Sequence, residues 1–176
     1  PLGKGGMGQV WMSFDTEGER LVAVKVLPPE FQGNDEAIDQ VRAAFRVVHA
    51  LTHQHIGKTI GLYDDAQFGP YIVMEYLEGE DLASMLARTG PLPTERAVDF
   101  VLQACEALAQ AHAAGVVHRD IKPSNLFLAR QPDNRALIKV LDFGIATIEP
   151  VVGFGQRFRP SGGTPRDDSA PRRSSS

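Results

Sequence analysis

The sequence predicts an α+β fold in two unequal lobes, and three features carry that expectation. The first third reads as strands around a single helix. From about residue 77, helical periodicity dominates and is broken by short apolar hairpin segments. Beyond residue 152 the apolar pattern dissolves into Gly, Pro, Arg and Ser, so 153–176 is expected to be a disordered tail. At 176 residues and 43% hydrophobic content, the chain suits one sizeable core rather than two.

Each element follows from a local pattern. Residues 3–14 are glycine-rich and then apolar, and Thr16-Glu17-Gly18-Glu19 turns the chain into a valine-rich strand at 20–27. Pro28 and Pro29 stop that strand, because proline has no amide hydrogen to give a ladder. Over 35–51, Ile38, Val41, Phe45, Val48 and Leu51 recur at three- and four-residue steps. That spacing is one apolar helix face, with Asn34 or Asp35 as its cap. Two strands are expected near 60–63 and 71–76, joined by a turn at Gln67-Phe68-Gly69-Pro70. Gly79 opens a short helix near 82–88. A longer helix starts near Thr94, carries Val98, Val101, Leu102, Cys105, Leu108 and His112 on one side, and closes at Gly115. Short apolar segments follow at 115–117, 126–128 and 138–141, the last two separated by a loop at 131–134.

Composition excludes several function classes. A single cysteine, Cys105, rules out an intramolecular disulfide framework and a cysteine-based zinc site. No apolar stretch approaches the ~20 residues that span a bilayer, and no charged-then-apolar leader stands at the start, which points to a cytoplasmic chain. The first residue is Pro1 rather than methionine, as expected of a fragment or an incomplete reading. The net charge of −4 is uneven: from Gly153 onward five arginines face two aspartates, leaving −7 on residues 1–152. An acidic body argues against nucleic acid as a partner.

Three strings carry chemistry. Gly3-Lys4-Gly5-Gly6-Met7-Gly8-Gln9-Val10 spaces glycines so that backbone amides can approach phosphate oxygens without an intervening Cβ. A flexible hairpin turn has the same composition. A dinucleotide-binding fold would need a helix at once; here a strand follows, with Lys25 in Val22-Ala23-Val24-Lys25. A lysine among apolar residues needs an anionic partner if buried, and a phosphate would serve; the alternative is a lysine on the wet face of a strand. The third string is His118-Arg119-Asp120-Ile121-Lys122-Pro123-Ser124-Asn125, followed seventeen residues after Asn125 by Asp142-Phe143-Gly144. It offers a carboxylate to accept a hydroxyl proton, a lysine to neutralise a phosphoryl group, and Asn and Asp oxygens for magnesium.

In this order the strings resemble the protein kinase superfamily, and Lys122-Pro123-Ser124-Asn125 resembles its bacterial serine/threonine branch. The resemblance covers about 2–146 and implies an α+β, two-lobed kinase-like fold with an incomplete C-lobe. The N-lobe would be 1–76 and the partial C-lobe 77–152. It implies ATP and Mg2+ as cofactors, and transfer of the γ-phosphoryl group to Ser or Thr hydroxyls of a protein substrate. By it, Gly3, Gly5 and Gly8 cover the phosphates, and Lys25 holds the α- and β-phosphates. Asp120 is the catalytic base and Lys122 the γ-phosphate contact, while Asn125 and Asp142 are the metal ligands. Met74 takes the gatekeeper position, Glu75 to Leu77 the hinge, and Asp81 the ribose contact. Leu2, Val10, Ala23, Leu77 and Phe127 would sandwich the adenine, although each could equally be plain core. His118, His53 and His55 read as structural histidines.

Two departures stand out. Alignment on His53-Gln54-His55-Ile56 puts Ala44 where active relatives carry the helix glutamate that pairs with the lysine. Gln40 and Val48, one turn away on either side, are not carboxylates either, so Lys25 lacks that partner unless a group such as Asp142 takes over. After Asp142-Phe143-Gly144, Ser161-Gly162-Gly163-Thr164-Pro165-Arg166 resembles the approach to the family's next motif and then diverges. The final Arg172-Arg173-Ser174-Ser175-Ser176 is what codons for Ser-Pro-Glu-Gln-Leu yield when read one base late, so a frameshift is one expectation, and a chance Arg/Ser-rich end is the other. A truncated C-lobe is expected to leave apolar surface exposed. Beside an active kinase stand two rivals: a pseudokinase that binds nucleotide without transfer, favoured by Ala44, and a non-functional remnant, favoured by the tail.

Overall fold

The strand patterns of the first third close into one antiparallel sheet. In the computed structural model, which describes residues 1–5, 8–131 and 136–143, β1 (Gly3–Gly5) and β2 (Gly8–Asp15) form a hairpin. A turn at 16–19 leads into β3 (Arg20–Val26). The two prolines then enter a single helical turn, Pro29–Phe31, that no sequence pattern foretold. After α1 (Asp35–His49) come β4 (Thr59–Asp65) and β5 (Gly69–Glu75), completing the order β1-β2-β3-β5-β4. The turn between β4 and β5 is 66–68 rather than 67–70; Gly69, at φ +73°, already belongs to β5. The cap of α1 is Asn34, whose side chain accepts the Ala37 amide at 3.1 Å. Buried Val41 packs this helix on Leu27 and Ile72, with Phe31, Phe45, Leu62 and Met74 at the margin.

The second group is built around β6 (Gly79–Asp81), β7 (Leu126–Arg130) and β8 (Ala136–Val140), in that order in one antiparallel sheet. Gly79 does not open a helix as expected. It sits in β6 at φ +144°, where a Cβ would lie 2.1 Å from the Leu128 carbonyl oxygen. Glycine is there to let two strands meet closely. Asp81 caps α2 (Leu82–Thr89) instead, accepting the Ser84 amide at 2.9 Å. α3 (Thr94–Ala113) ends at Gly115, whose amide donates to the His112 carbonyl at 2.9 Å. Residues 115–117 are not a strand.

The orientation of α3 differs from the pattern-based expectation. Its buried face is Phe100, Ala104, Ala107 and Ala111, and the three alanines let the helix approach the sheet. Val98, Val101 and Leu102 are 52%, 57% and 59% exposed, and Cys105 is exposed too. The helix carries two apolar faces, and hydrophobicity alone picked the bulkier one.

The two groups meet at a seam. The Val140 amide donates to the His55 carbonyl at 2.8 Å, and the Gly57 amide to the Val140 carbonyl at 2.9 Å. The His55 ring donates from Nδ1 to the Ile138 carbonyl at 2.8 Å, and buried Ile56 packs between. Val48 and Leu51 thereby join Leu82, Met85, Phe100, Ile138 and Phe143 in one continuous core. The expected tail at 153–176, Gly144 and the segment 161–166 lie outside the described residues.

The face assignment of α3 is testable by urea denaturation. Phe100→Ala should cost ~3–5 kcal/mol by opening a core cavity. Leu102→Ser should stay within about 0.5 kcal/mol of wild type, as exposed substitutions do.

Candidate active site

Between the two sheets lies a cleft of ≈ 250 Å³. Its ceiling comes from neighbouring strands in register: Val10 opposes Lys25, which opposes Ile72, and Ala23 opposes Met74. Because β3 is flanked on both sides, Lys25 has little freedom to drift. The floor is Phe127 on β7, paired with Asp81 on β6 and Lys139 on β8. Leu2, Glu75, Tyr76, Leu77, Leu141, Asp142 and Phe143 line it as well. Among the described residues, neither the amide nor the carbonyl of Leu77 enters a backbone hydrogen bond.

Of the expected contacts, Leu2, Val10, Ala23, Lys25, Met74, Glu75, Leu77, Asp81, Phe127 and Asp142 all line this cleft. Thr59, Ser124, Val48 and Leu141 line it as well and were not foreseen. They lie in segments whose local pattern says only strand, helix or loop. Gly3, Gly5 and Gly8 belong to the β1–β2 hairpin, with Gly5 opposite Gly8; a hairpin is common to both readings of that string. The absence of a helix after it removes the dinucleotide-binding fold.

Lys25 is not on a wet strand face. It is buried, and its Nζ donates to Asp142 Oδ1 at 2.7 Å, a contact between residues 117 positions apart. The side chains are 10% and 31% exposed, respectively. With Ala44 in α1 unable to supply a carboxylate, Asp142 is the acid that balances the buried ammonium. Asp142 holds φ +58° and Arg119 φ +63°, left-handed backbone that L residues adopt at a cost of ~1–2 kcal/mol each. No local sequence pattern announces either.

The 118–125 segment is organised by His118. Its Nδ1 accepts the Asp120 amide at 3.3 Å, which puts the ring proton on Nε2, and that nitrogen donates to the Leu141 carbonyl at 2.8 Å. The ring also packs on Phe143 at 4.8 Å between centroids. The buried imidazole is thus structural: it ties the loop carrying Asp120 to the segment carrying Asp142. Asn125 Nδ2 donates to the Asp120 carbonyl at 2.8 Å and to Asp120 Oδ2 at 3.0 Å. That orientation leaves Asn125 Oδ1 as an acceptor. Lys122 Nζ reaches the same Oδ2 at 2.7 Å. The Lys122 contact, aided by Asn125, holds the Asp120 carboxyl below the ordinary aspartate value.

The donor set fits a hard divalent cation: a carboxylate on Asp142 and an amide oxygen on Asn125, with a buried lysine alongside for anionic oxygens. Apolar walls and a charged far end together suit a nucleoside triphosphate.

A family profile described as Protein kinase domain matches residues 1–151. The chain belongs to the protein kinase family. It is 43% identical over 150 residues to the serine/threonine-protein kinase PknA of Mycobacterium tuberculosis, covering 82% of this chain and 34% of that protein. It is 40% identical over 149 residues to the serine/threonine-protein kinase drp72 of Corynebacterium efficiens, covering 82% and 28%. The crystal structure of the M. tuberculosis PknI kinase domain superposes with a TM-score of 0.72 at 30% identity, covering 83% of this chain and 57% of that one. The chain therefore spans 28–34% of these two curated relatives. Kinases of this family use ATP and Mg2+ in general. No helix among the described residues is long and apolar enough to cross a membrane.

The lowered Asp120 value gives a pH signature. A carboxyl depressed in the folded state stabilises fully above its ordinary value of 3.8 and loses that contribution as pH falls through the folded value. The difference in urea midpoint between wild type and Asp120→Ala should be constant from neutrality to about pH 5 and shrink at lower pH. A difference that shrinks toward alkaline pH instead would contradict the Lys122–Asp120 assignment.

Proposed function

We propose that the cleft binds ATP with Mg2+ and that its charged residues serve transfer of the γ-phosphoryl group to a Ser or Thr hydroxyl of a protein. The observation that carries this reading is the meeting of Lys25 and Asp142, 2.7 Å apart, at the inner end of an apolar cleft. In this reading Leu2, Val10, Ala23, Met74, Leu77 and Phe127 hold the adenine, and the Leu77 backbone reads its edge. Asp81 reaches the ribose with the acceptor capacity left over from Ser84. Lys25 binds the α- and β-phosphates, under the amides of Gly3, Gly5 and Gly8. Asn125 and Asp142 hold Mg2+, which when bound neutralises charge on the phosphate oxygens.

Asp120 Oδ2 is occupied by Lys122 and Asn125, so Oδ1 is the oxygen that receives the hydroxyl proton. The hydroxyl oxygen bonds to the γ-phosphorus as the bond from that phosphorus to the bridging oxygen breaks, releasing ADP. Asp120 orients the hydroxyl and takes its proton as the new bond to phosphorus forms. Lys122 moves from Asp120 to the γ-phosphoryl oxygens as negative charge develops.

A second reading, nucleotide binding without transfer, is favoured by Ala44: the carboxylate that balances Lys25 is also the one offered to the metal. Both readings expect Mg2+-dependent ATP binding. At a hundredfold excess over Kd, ATP should stabilise wild type by ~2.7 kcal/mol in a thermal scan, and Lys25→Met or Asp142→Asn should abolish the gain. No stabilisation at millimolar Mg·ATP would overturn both. Label transfer to a basic protein, raised by Ala44→Glu, would select the kinase; binding without transfer in both proteins would select the second reading.

A further inference from the structure

Lys139 drew no attention as sequence, being one cation in an apolar strand. β8 places it opposite Phe127 on the cleft floor, with its side chain 13% exposed. Its Nζ donates to Glu75 Oε1 at 2.8 Å and to the Ile56 carbonyl at 3.4 Å. The same Oε1 accepts the Lys58 amide at 2.8 Å, while the Glu75 amide donates to the Lys58 carbonyl at 3.0 Å. One ammonium therefore joins three stretches: 56–58, the connection that starts at Glu75, and the strand that runs on through Leu141 to Asp142.

An ammonium withdrawn this far from water is retained only with good partners, and an apolar side chain would pack the same site without that requirement. Three neighbours of this ion pair, in space or along the chain, bear on ligand geometry. Glu75 precedes the Leu77 backbone edge by two residues, Phe127 is directly across the ladder, and Asp142 is three residues downstream. We propose that Lys139 is a positioning residue: through Glu75 it sets the separation between the wall carrying Leu77 and the floor carrying Phe127, and so the register of a bound nucleotide against Asp142. This rests on the nucleotide-binding reading given above.

The test uses the full chain with two readouts. Hydrogen exchange of the Glu75 and Leu141 amides, both hydrogen-bonded, is followed in unliganded wild type, Lys139→Met, Glu75→Gln and the double variant. Mg·ATP affinity is measured on the same four proteins and on Lys139→Arg. Lys139→Met should speed exchange at both amides and weaken Mg·ATP on the order of tenfold, within the range seen for coupled neighbours. The double variant should bind no more weakly than Lys139→Met, and Lys139→Arg should recover most of the affinity. Should Lys139→Met not fold, Glu75→Gln carries the same expectations. Affinity within about twofold of wild type, with stability alone reduced, would show a purely structural ion pair and overturn the proposal. Wild type that binds no Mg·ATP removes the functional reading itself; unchanged exchange in the unliganded variants removes the clamp whatever wild type binds.

Discussion

Everything at the cleft depends on the docking of residues 55–57 against β8. Two backbone hydrogen bonds and the His55 imidazole fix the Ile138–Val140 backbone to the chain that follows α1. These are buried polar groups, costly to leave unpaired, so the docking is sharply defined rather than a sliding apolar contact. Once β8 is fixed, Leu141 and Asp142 come under β3, and Lys25 finds its carboxylate. The His118 bridge to the Leu141 carbonyl then ties the loop carrying Asp120 to the segment carrying Asp142. A chain of short-range constraints thus places groups that are far apart in sequence.

The charge balance of the cleft follows from one missing side chain. A lysine buried on a central strand requires an anion nearby, and with alanine at position 44 the helix cannot supply it. Asp142 does so, with a side chain that remains partly exposed and therefore open to other ligands. Lys25 and the cation proposed for Asn125 and Asp142 then draw on a common carboxylate.

α3 shows a second tension. Its small-residue face is buried against the sheet, leaving Val98, Val101 and Leu102 exposed. A helix apolar on both sides is the usual pattern at the centre of a larger core. The solved kinase domain that this chain resembles is longer, the chain spanning 57% of it.

Much was legible in the amino-acid order. The Val22–Lys25 run, a cap of α1 at Asn34 or Asp35, the stop at Pro28 and the His118–Asn125 string depend on neighbours within a few residues, and such interactions survive in any context. They marked most of the strands and helices and carried the resemblance to the family. The tautomer of His118, the buried face of α3 and the Lys139–Glu75 bond depended instead on which surfaces met after folding, and so did the choice of Asp142, one candidate acid beforehand, as the partner of Lys25. Helical periodicity finds an apolar stripe and cannot choose between two, and a resemblance can offer Asp142 as an acid for Lys25 without showing that the two meet. Burial and long-range pairing decided these, because the energy of a buried charge or a packed alanine is defined only by what surrounds it.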